Sequence, residues 1–584
     1  MVTEAEVLRT MRGKHYRPMK AAELARQVGV KPDEMRDFKQ LLRQMELDGL
    51  IVEVKQSHLA LPQKVDLVVG LLRVNPRGFG FVIPRGTEAG QDIYVAEGDM
   101  ATAVDRDTVA VRLHRPQPRE GPAGKVVSIV NRGRDRIVGT FQTSKRFSFC
   151  VPDDPSIVHN IYIHQHDSHN AKPGEKVVVE ITEWPSRHSA PEGRVIEVLG
   201  PVGQQKVDIL SVVRGFGLPD RFGAAALSQA VQLGRQVADS DLKGRRDLTA
   251  LFTVTIDPVD AKDFDDAISL EREGGRWRLS VHIADVSHYV RPNSDLDSEA
   301  RERGTSVYLP GTVIPMLPEP LSNGLCSLKP HQVRLTKTVE LVYDARGSQL
   351  DASVYRSYIR SDHRLNYGQV LDVIEGRDGA DGRLVEMLQT CNALAEKLKE
   401  VRRHRGMLEL SIAKPAVRLD PFGDVAEVLL EESDAAHSLI EEFMLAANEA
   451  VAEFLCQRGL PGIFRTHPEP KPEDFAEFAA IARAVGGRVG ELSDRKALQR
   501  LLDQTRNRPD GHLIHLALLR TMPHALYSEF PGTHFALASS RYLHYTSPIR
   551  RYPDLLVHRV LDEHFDGNLK STKQRQVLGQ DFAR

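Results

Sequence analysis

The sequence predicts a multidomain α+β protein with a small helical module first, two β-barrels next and a large mixed α/β domain last. The chain of 584 residues is long enough for roughly three to five domains. Helical periodicity, then short alternating strands, then strands mixed with long helices follow one another along the chain. These changes of pattern predict domains over residues 1–62, 65–115, 137–200 and 240–584.

Composition excludes several classes of protein. Hydrophobic residues make up 41% of the chain and charged residues 27%, as in ordinary soluble proteins. The sequence has neither a long apolar run nor a signal-peptide core, which predicts a cytoplasmic protein without a membrane partner. The 4 cysteines form no Cys-x-x-Cys pair, which argues against a zinc site or disulfides. We expect a monomer.

Net charge is −2, so any surface for nucleic acid must come from local basic patches. Residues 101–150 carry such an excess of Lys and Arg, although a solvated basic linker explains that excess equally well.

The first module, residues 1–62, has the pattern of a winged helix. Residues 21–30 predict a helix that ends in a glycine turn, and apolar residues at helical spacing predict a second helix over 38–45. Short strands over 50–54 and 57–61 complete a helix–turn–helix with a β wing. A generic three-helix module that binds protein is the alternative.

Residues 65–115 alternate apolar strands with Gly and Pro turns, which predicts a β-barrel. Phe79 and Phe81 are two residues apart, so both rings lie on one face of one strand. With Arg73 and Arg77 beside them, the rings would form a platform on which RNA bases stack. The alternative, in which both rings face the core, fits the spacing equally well.

The order Gly-Phe-Gly-Phe-Val at 78–82, followed by Asp-Ile-Tyr-Val, resembles the cold-shock domains, which are OB-fold barrels. Residues 137–200 resemble a second, weaker copy with the same layout. Arg146 and Ser148 replace the glycines of this copy, so we expect it to be structural. The segment 114–135 between the copies is rich in Pro, Gly and Arg, which predicts a linker.

The densest chemical signal is an aspartate cluster in the mixed α/β domain. Asp257, Asp263, Asp265 and Asp266 lie within one ten-residue stretch, with apolar strand-like segments on both sides. A strand that enters a loop would bring these carboxylates together, where each raises the pKa of the others unless a cation intervenes. Ligation by carboxylate oxygens alone selects a hard divalent ion, Mg²⁺ or Mn²⁺.

Three interpretations of this cluster compete. A solvated acidic turn is available to any Asp-rich loop. An EF-hand calcium loop is excluded, because the required Gly and Glu are missing whether the loop starts at Asp257 or at Asp263. The third interpretation is a Mg²⁺ site for phosphoryl transfer.

The cluster resembles the signature of the ribonuclease II/R family, whose RNB catalytic domain has the pattern Thr-Ile-Asp, five residues, Asp, one residue, Asp-Asp. All four aspartates have that spacing here, and segments 281–290, 306–311, 314–318 and 545–554 follow in the family's order. The N-terminal layout is closer to ribonuclease R than to ribonuclease II. The resemblance covers nearly the whole chain, and we expect the RNB domain to be truncated at its C-terminal end, because the family continues into another OB-fold domain.

The resemblance implies a hydrolytic, processive 3′-to-5′ exoribonuclease that degrades single-stranded and structured RNA to nucleoside 5′-monophosphates. It implies Mg²⁺ as the cofactor, with Mn²⁺ as the alternative, held mainly by Asp257 and Asp266 and completed by Asp263 and Asp265. Asp265 is implied to be the most important for catalysis. A catalytically inactive RNA-binding protein and a DNA-binding regulator are the rival hypotheses; the intact aspartates disfavour the first, and the second leaves them unexplained.

Further residues are implied to contact RNA. Arg550 would clamp the scissile phosphate, because a guanidinium group matches two phosphate oxygens, whereas Arg551 fits a structural ion pair better. Tyr308 would stack on a terminal base unless it is buried, and Glu441 would bond the 2′-hydroxyl unless it is a plain surface glutamate. Family members pair the tyrosine that corresponds to Tyr308 with a second aromatic ring. Leu410 stands in the place of that ring here, and a leucine side chain cannot stack on a base as a ring does.

Overall fold

The computed structural model describes residues 2–13, 16–54, 57–85, 92–114, 121–144, 147–185, 189–377, 382–420, 425–431, 434–487, 489–490 and 494–569. The chain divides into two units, Met1–Leu218 and Pro219–Arg584, and each is described by itself. Within the described ranges, no helix is both long and apolar enough to cross a membrane. The last residues of the chain, to which the expectation of truncation refers, lie outside these ranges, as does Arg146.

The first unit begins with a helical module and a small antiparallel sheet. Its described elements are α1 (Glu4–Arg12), β1 (Met19–Lys20), α2 (Ala21–Val28), α3 (Met35–Leu47), β2 (Val52–Val54) and β3 (His58–Ala60). Helix α2 ends at Gly29, whose φ of 79° is a left-handed conformation that glycine adopts without strain. Val7, Leu24 and Phe38, one from each helix, share a buried core. These elements have the order of a winged helix, which stays a prediction.

The first β-barrel follows this module. Its strands are β4 (Val68–Val74), β5 (Gly80–Pro84), β6 (Ile93–Val95), β7 (Thr108–Leu113) and β8 (Gly124–Asn131), in the order β6-β5-β4-β7-β8. A bridge between Tyr94 and Ala123 joins the outer strands. The predicted linker is wrong over β8, because this strand pairs with β7 and buries Val126 in the barrel core.

A second barrel repeats this layout and is closed. Its strands are β9 (Arg136–Thr143), β10 (Ser148–Pro152), β11 (Ile161–Ile163), β12 (Glu175–Glu183) and β13 (Glu192–Pro201), in the order β10-β11-β13-β12-β9. Strand β11 runs parallel to β13 at Tyr162 and Glu192, as β6 does to β8 at the Tyr94–Ala123 bridge. Helix α4 (Gln205–Gly215) then packs on β9 and β13.

The second unit is built on a seven-stranded sheet with the order β14-β21-β20-β17-β16-β15-β22. In chain order, its described elements are α5 (Ala224–Gln232), β14 (Arg246–Asp247), β15 (Val254–Asp257), β16 (Asp266–Glu273), β17 (Arg276–Ala284), α6 (Val286–Tyr289), α7 (Asp295–Arg303), β18 (Val307–Leu309), β19 (Thr312–Ile314), β20 (Val333–Tyr343), β21 (Gln349–Arg360), β22 (His363–Asn366), α8 (Tyr367–Ile374), α9 (Gly382–Arg405), β23 (Lys414–Leu419), β24 (Val425–Glu431), α10 (Ala435–Gln457), β25 (Phe464–Thr466), α11 (Pro472–Ala484), α12 (Arg495–Thr505), α13 (Gly511–Thr521), β26 (Leu526–Ser528) and α14 (Tyr552–Phe565).

The large core of this unit lies between the sheet and helices α9 and α10. Apolar residues at a spacing of three to four positions predict a helix over about 435–455, and α10 covers that range. Ile440, Phe443, Ala447 and Val451 of this apolar stripe are buried. Strand β15 ends at Asp257 and its antiparallel neighbour β16 begins at Asp266. The sheet therefore holds both ends of the aspartate-rich loop.

Candidate active site

A cavity of about 450 Å³ opens where β15 ends. Its lining brings together every site residue that the sequence predicted in the second unit: Asp257, Asp263, Asp265, Asp266, Tyr308, Glu441, Arg550 and Arg551. The other three predicted residues, Arg77, Phe79 and Phe81, belong to the first barrel.

The loop that carries the aspartates is tied to the protein at several points. Asp257 pairs with Asn366 of β22, and Asp266 pairs with Ile283 of β17. Between them, the Phe264 amide donates to Ser327 Oγ at 3.1 Å, and the Phe264 ring is buried. This anchoring turns the neighbouring carboxylates toward the cavity instead of into solvent.

Asp265 is the most enclosed of the four aspartates. Its side chain is 4% exposed, and its Oδ1 accepts a hydrogen bond of 2.8 Å from the Ile549 amide. Its Oδ2 lies 3.4 Å from Arg550 Nε and accepts no hydrogen bond. Burial raises the pKa of Asp265 well above its usual range, although the charge of Arg550 opposes the shift.

Asp257 and Asp266 are also held in an environment that disfavours their charge. Burial, then the charges of Asp266 and Asp265, raises the pKa of Asp257 to about 8. Burial raises the pKa of Asp266 to about 6, although the positive charges of Arg550 and Arg551 lower it. Carboxylates that repel one another in a buried site need a compensating cation to stay ionised.

The donor set fits a hard divalent ion. It consists of carboxylate oxygens alone, and the buried Oδ2 atoms of Asp257 and Asp265 lack hydrogen-bond partners. Across the described parts of the chain, no three His, Cys, Asp or Glu side chains are already arranged to hold a metal ion. The carboxylates share a cavity but do not converge on one point.

Tyr308 lies on the β18–β19 hairpin, beside the aspartates. Its hydroxyl donates a hydrogen bond of 2.9 Å to Asp263 Oδ2, and the residue is 53% exposed. The alternative of a core tyrosine therefore does not describe it. Leu410 packs instead in an apolar cluster that contains Phe475 and Phe478, and it does not line the cavity.

The two arginines of the Arg-bearing segment have different surroundings. Arg550 donates from Nη2 to Ser547 Oγ at 2.9 Å, and its side chain is 43% exposed. Arg551 donates from Nη2 to Asp554 Oδ1 at 2.7 Å, and the same oxygen accepts the Ser547 amide at 2.8 Å. Arg551 thus forms the structural ion pair that the sequence favoured, and Arg550 faces the cavity.

Sequence reasoning missed two residues of this site. Asp554 supports the Arg550 loop from the first turn of α14; the family resemblance over 545–554 includes this residue, but the sequence indicated no role for it. Tyr367 lines the cavity near Glu441, and its ring stacks on His437 with centroids 3.8 Å apart. Its position after a helix cap gave no functional signal. Glu441 is exposed on α10, where it also lines the cavity.

The aromatic residues of the first barrel lie on its outer surface. Phe79, Phe81 and Tyr94 form a triad with ring centroids 5.7–5.8 Å apart, and Phe81 is 39% exposed. The alternative in which the rings fill the core is therefore wrong, although RNA binding stays a prediction. Tyr94 was missed because it lies on the next strand. Arg77 is exposed.

The second barrel has a corresponding triad of rings, Phe147, Phe149 and Tyr162, in which Phe147 contacts the other two. Phe147 lies 5.9 Å from Phe149 and 5.2 Å from Tyr162 between ring centroids, and it is 47% exposed. The expectation of a purely structural copy therefore overlooked an exposed aromatic surface. The replacement of glycine by Ser148 leaves this surface intact.

Comparison with known proteins decides the family. The RNB domain model matches residues 245–567, which is more than half of the chain. This chain belongs to the RNB family. The Ribonuclease B OB domain model matches residues 70–129 of this RNB protein, and the Cold shock domain model matches 149–223. The two predicted OB-type barrels are thereby confirmed.

Curated relatives are of the ribonuclease R type. Ribonuclease R of Thermotoga maritima is 38% identical over 97% of this chain and 81% of its own length. Ribonuclease R of Escherichia coli is 34% identical over 94% of this chain and 68% of its own length. The predicted membership of the ribonuclease II/R family, closest to ribonuclease R, is confirmed, and with it the class of enzyme, a hydrolytic 3′-to-5′ exoribonuclease. RNB exoribonucleases are metal-dependent.

Solved structures share the fold. Mycoplasma genitalium RNase R in complex with ribose methylated single-stranded RNA has a TM-score of 0.82 and 28% identity, over 88% of this chain and 82% of that chain. Yeast Ssd1, a pseudonuclease, has a TM-score of 0.68 and 20% identity, over 88% of this chain and 71% of that chain. At 20% identity the similarity to Ssd1 concerns the fold alone.

Proposed function

We propose that this RNB protein degrades single-stranded and structured RNA processively from the 3′ end and releases nucleoside 5′-monophosphates, with Mg²⁺ as its ion and Mn²⁺ as the alternative. One observation carries the proposal: the buried Asp265 and the half-buried Asp257 and Asp266 repel one another in a cavity that they share with the half-exposed guanidinium group of Arg550. The carboxylates suit a divalent ion, and the guanidinium group suits a phosphate.

In this proposal the aspartates hold the metal, chiefly Asp257 and Asp266, with Asp263 and Asp265 completing the set. When bound, the ion would neutralise the carboxylates, acidify a water molecule and offset charge at the reacting phosphate. Asp265 also has a structural role, because it accepts a hydrogen bond from the Ile549 amide and lies beside Arg550. It thereby positions the loop that carries the phosphate clamp.

Arg550 binds the scissile phosphate. Its Nη2 is held by Ser547 Oγ, which fixes the plane of the guanidinium group while part of it stays accessible. A permanently protonated, planar donor can bind two phosphate oxygens and stabilise the charge of the transition state without a proton transfer. Arg551 lines the same cavity but is paired with Asp554. It therefore contributes to RNA binding by the electrostatic attraction of its positive charge for RNA phosphates, not by a direct hydrogen bond.

The 3′-terminal nucleotides are recognised by the walls of the cavity. The exposed ring of Tyr308 stacks on a terminal base, and its hydrogen bond to Asp263 fixes the ring beside the aspartate loop. Glu441 on α10 hydrogen-bonds the 2′-hydroxyl, which distinguishes RNA from DNA. Phe79, Phe81 and Arg77 bind unpaired RNA on the first barrel, where rings stack on bases and the arginine meets the backbone.

A labelled-RNA assay tests the proposal and its two rivals. Single-stranded RNA labelled at either end is incubated with the protein in Mg²⁺, in Mn²⁺ and in EDTA. Progressive shortening from the 3′ end with release of nucleoside 5′-monophosphates, lost in EDTA, is the expected result. A gel shift without cleavage would support an inactive RNA-binding protein, and preference for duplex DNA would support a DNA-binding regulator.

We also propose that the protein acts as a monomer in the cytoplasm. Light scattering after size-exclusion chromatography should give the chain mass of 65.2 kDa. A dimer mass at micromolar concentration would contradict this part of the proposal.

A further inference from the structure

An arginine-lined cleft of about 630 Å³ lies in the first unit, between the end of α3 and the outer face of the first barrel. Arg73 comes from β4, Arg85 follows β5, and Arg106 precedes β7; Leu47 of α3 and Asn131 of β8 complete the walls. The cleft shares no residue with the catalytic cavity.

The positive charge of the cleft is poorly compensated. No described residue forms an ion pair with Arg73 or Arg85; Arg85 donates from Nη1 to the Leu47 carbonyl at 3.0 Å, which holds its side chain against α3. The Nε of Arg106 is buried without a hydrogen-bond partner. Its neighbour Asp105, at 3.7 Å, is already engaged by Arg134 at 3.0 Å.

One acidic residue, Asp48, also lines the cleft. Both of its carboxylate oxygens accept hydrogen bonds from the Gln44 amide, at 3.0 and 3.1 Å. The three arginines therefore outnumber the acid, and the balance of charge in the cleft favours an anionic ligand.

The backbone at Arg106 is held in an unusual conformation. Its φ of 69° lies in the left-handed region, which costs a residue other than glycine on the order of 1 kcal/mol. Gly133 packs against it so closely that a Cβ there would lie 2.1 Å from the Arg106 carbonyl oxygen. Arg106 and Gly133 both line the cleft, so its wall at this point is closely packed backbone.

The cleft is continuous with the aromatic triad of the same barrel. In the strand register, Arg73 pairs with Phe81, and Phe81 pairs with Tyr94. Because directly paired residues point to the same face of a sheet, the three side chains form one row across β4, β5 and β6. The row ends at the cleft, where Arg85 and Arg106 add two more cations.

We propose that this cleft binds the sugar–phosphate backbone of an RNA strand whose bases stack on Phe81 and Tyr94. Aromatic faces for bases beside cations for phosphates are the two parts of a site for single-stranded nucleic acid. This inference rests on the proposed function, because it takes RNA as the ligand, and it adds a contact site that includes the α3 wall. The second barrel differs, since Gln142 pairs with Phe149 where the first barrel has Arg73.

The test measures RNA binding by the full chain in EDTA, so that cleavage does not interfere. The double variant Arg73→Gln/Arg85→Gln removes two charges from the cleft. The matched control, Arg9→Gln/Arg36→Gln, removes two exposed arginines of α1 and α3 that lie outside it. Fluorescence anisotropy with a labelled single-stranded RNA is recorded over a range of salt concentrations, and thermal melting verifies that both variants fold.

The cleft variant should bind RNA roughly tenfold more weakly at low salt, and its slope of log K against log salt should fall by about 1.4, because each contact to a single-strand phosphate contributes about 0.7. The control should change neither quantity. If the unaltered protein cleaves RNA while the cleft variant keeps its affinity and slope, the inference fails and the proposed function stands. Failure of the unaltered protein to cleave RNA would instead overturn the proposed function.

Discussion

The catalytic cavity and the aromatic surfaces of the barrels use opposite physical means to meet RNA. In the cavity, Asp257 and Asp265 are turned inward with carboxylate oxygens that lack partners, and their pKa values are raised. On the barrels, Phe81 and Phe147 are turned outward and carry no charge. Catalysis at phosphorus needs unbalanced charges that a bound cation and a phosphate neutralise, whereas the stacking of bases needs only exposed ring faces.

This comparison separates two kinds of defect. Changes in the cavity should lower the rate of the chemical step and leave RNA affinity nearly intact, since the barrels still bind. Changes on the barrels should lower affinity and leave the rate at saturating RNA nearly intact. A cavity variant that loses RNA affinity, or a barrel variant that loses the cleavage rate at saturating RNA, would contradict this separation.

Asp265→Asn should lower single-turnover cleavage by roughly 10³-fold or more, while RNA binding in EDTA is kept. Asparagine can still accept the Ile549 amide, so the loop keeps its support, but the negative charge that faces the metal and Arg550 is gone. Asp260→Asn is the matched control, because Asp260 is an exposed residue of the same loop outside the cavity lining. Near-normal cleavage by Asp265→Asn would remove this residue from the catalytic set.

Arg550→Lys should lower the cleavage rate by about 10²-fold, because an ammonium group cannot bind two phosphate oxygens in the plane of a guanidinium group. Arg551→Lys is the comparison variant. Arg551 is paired with Asp554, so its replacement should lower the melting temperature and leave the cleavage rate nearly unchanged. The reverse pattern, with the rate lost in Arg551→Lys and kept in Arg550→Lys, would show that the clamp is the other arginine.

Asp257→Asn should raise the melting temperature in EDTA and abolish the further rise that Mg²⁺ causes in the unaltered protein. The pKa of Asp257, raised to about 8, means that ionisation of this carboxyl destabilises the metal-free fold above that pH. Removing the charge relieves this cost, and about 1 kcal/mol corresponds to roughly 1–2 °C for a unit as large as Pro219–Arg584.

Melting curves at pH 8.5, with and without Mg²⁺, make this measurement without reference to activity. The destabilisation is largest above the raised pKa and fades as pH falls toward the ordinary value of the aspartate carboxyl. A variant that melts below the unaltered protein in EDTA, or that still gains the full Mg²⁺ stabilisation, would count against Asp257 as a ligand.

Tyr308→Ala should change the length of the final product, because the terminal base loses a stacking partner worth about 1–3 kcal/mol. Tyr308→Phe keeps the ring and removes only the hydrogen bond to Asp263. Relative to the unaltered protein, the length of the final product on a sequencing gel should therefore change little in the Phe variant and most in the Ala variant. Identical end products for all three proteins would exclude stacking by this residue.

The parts of the site that the sequence predicted are those encoded by local spacing. Asp257 and Asp266 lie at the two ends of one loop, and Phe79 and Phe81 lie just before and within β5, so residues that are close in sequence are also close in space. The stripe on α10 follows the same logic, because helical periodicity marks a buried face. These patterns are readable before any tertiary contact is known.

The parts that were missed are joined by contacts between distant segments. The Ile549 amide donates a hydrogen bond to Asp265 across a sequence separation of 284 residues, and no local sequence pattern predicts that contact. Tyr94 joins the triad only through pairing of β5 with β6, and Tyr367 joins the cavity only because β22 lies beside β15. Strand β8 was interpreted as a linker because Pro and Gly residues precede it and because two register shifts in its pairing with β7 interrupt the alternation of a regular strand.

The smallest effect should come from single rings of the barrels. Phe81→Ala and Phe149→Ala should each weaken RNA binding by about 1 kcal/mol, roughly fivefold, because the other two rings of each set remain in contact. Cleavage at saturating RNA should not change in either variant. Anisotropy in EDTA gives the affinity, and initial rates against RNA concentration give the rate.

The two single variants also compare the barrels with each other. Phe81 has Arg73 beside it in the strand register, whereas Phe149 of the second triad has Gln142. If cations beside the rings hold the RNA strand in place, the loss of affinity should be larger for Phe81→Ala than for Phe149→Ala. The difference between the two losses should narrow at high salt, where phosphate contacts weaken. Equal losses at every salt concentration would mean that stacking alone sets the affinity of both barrels.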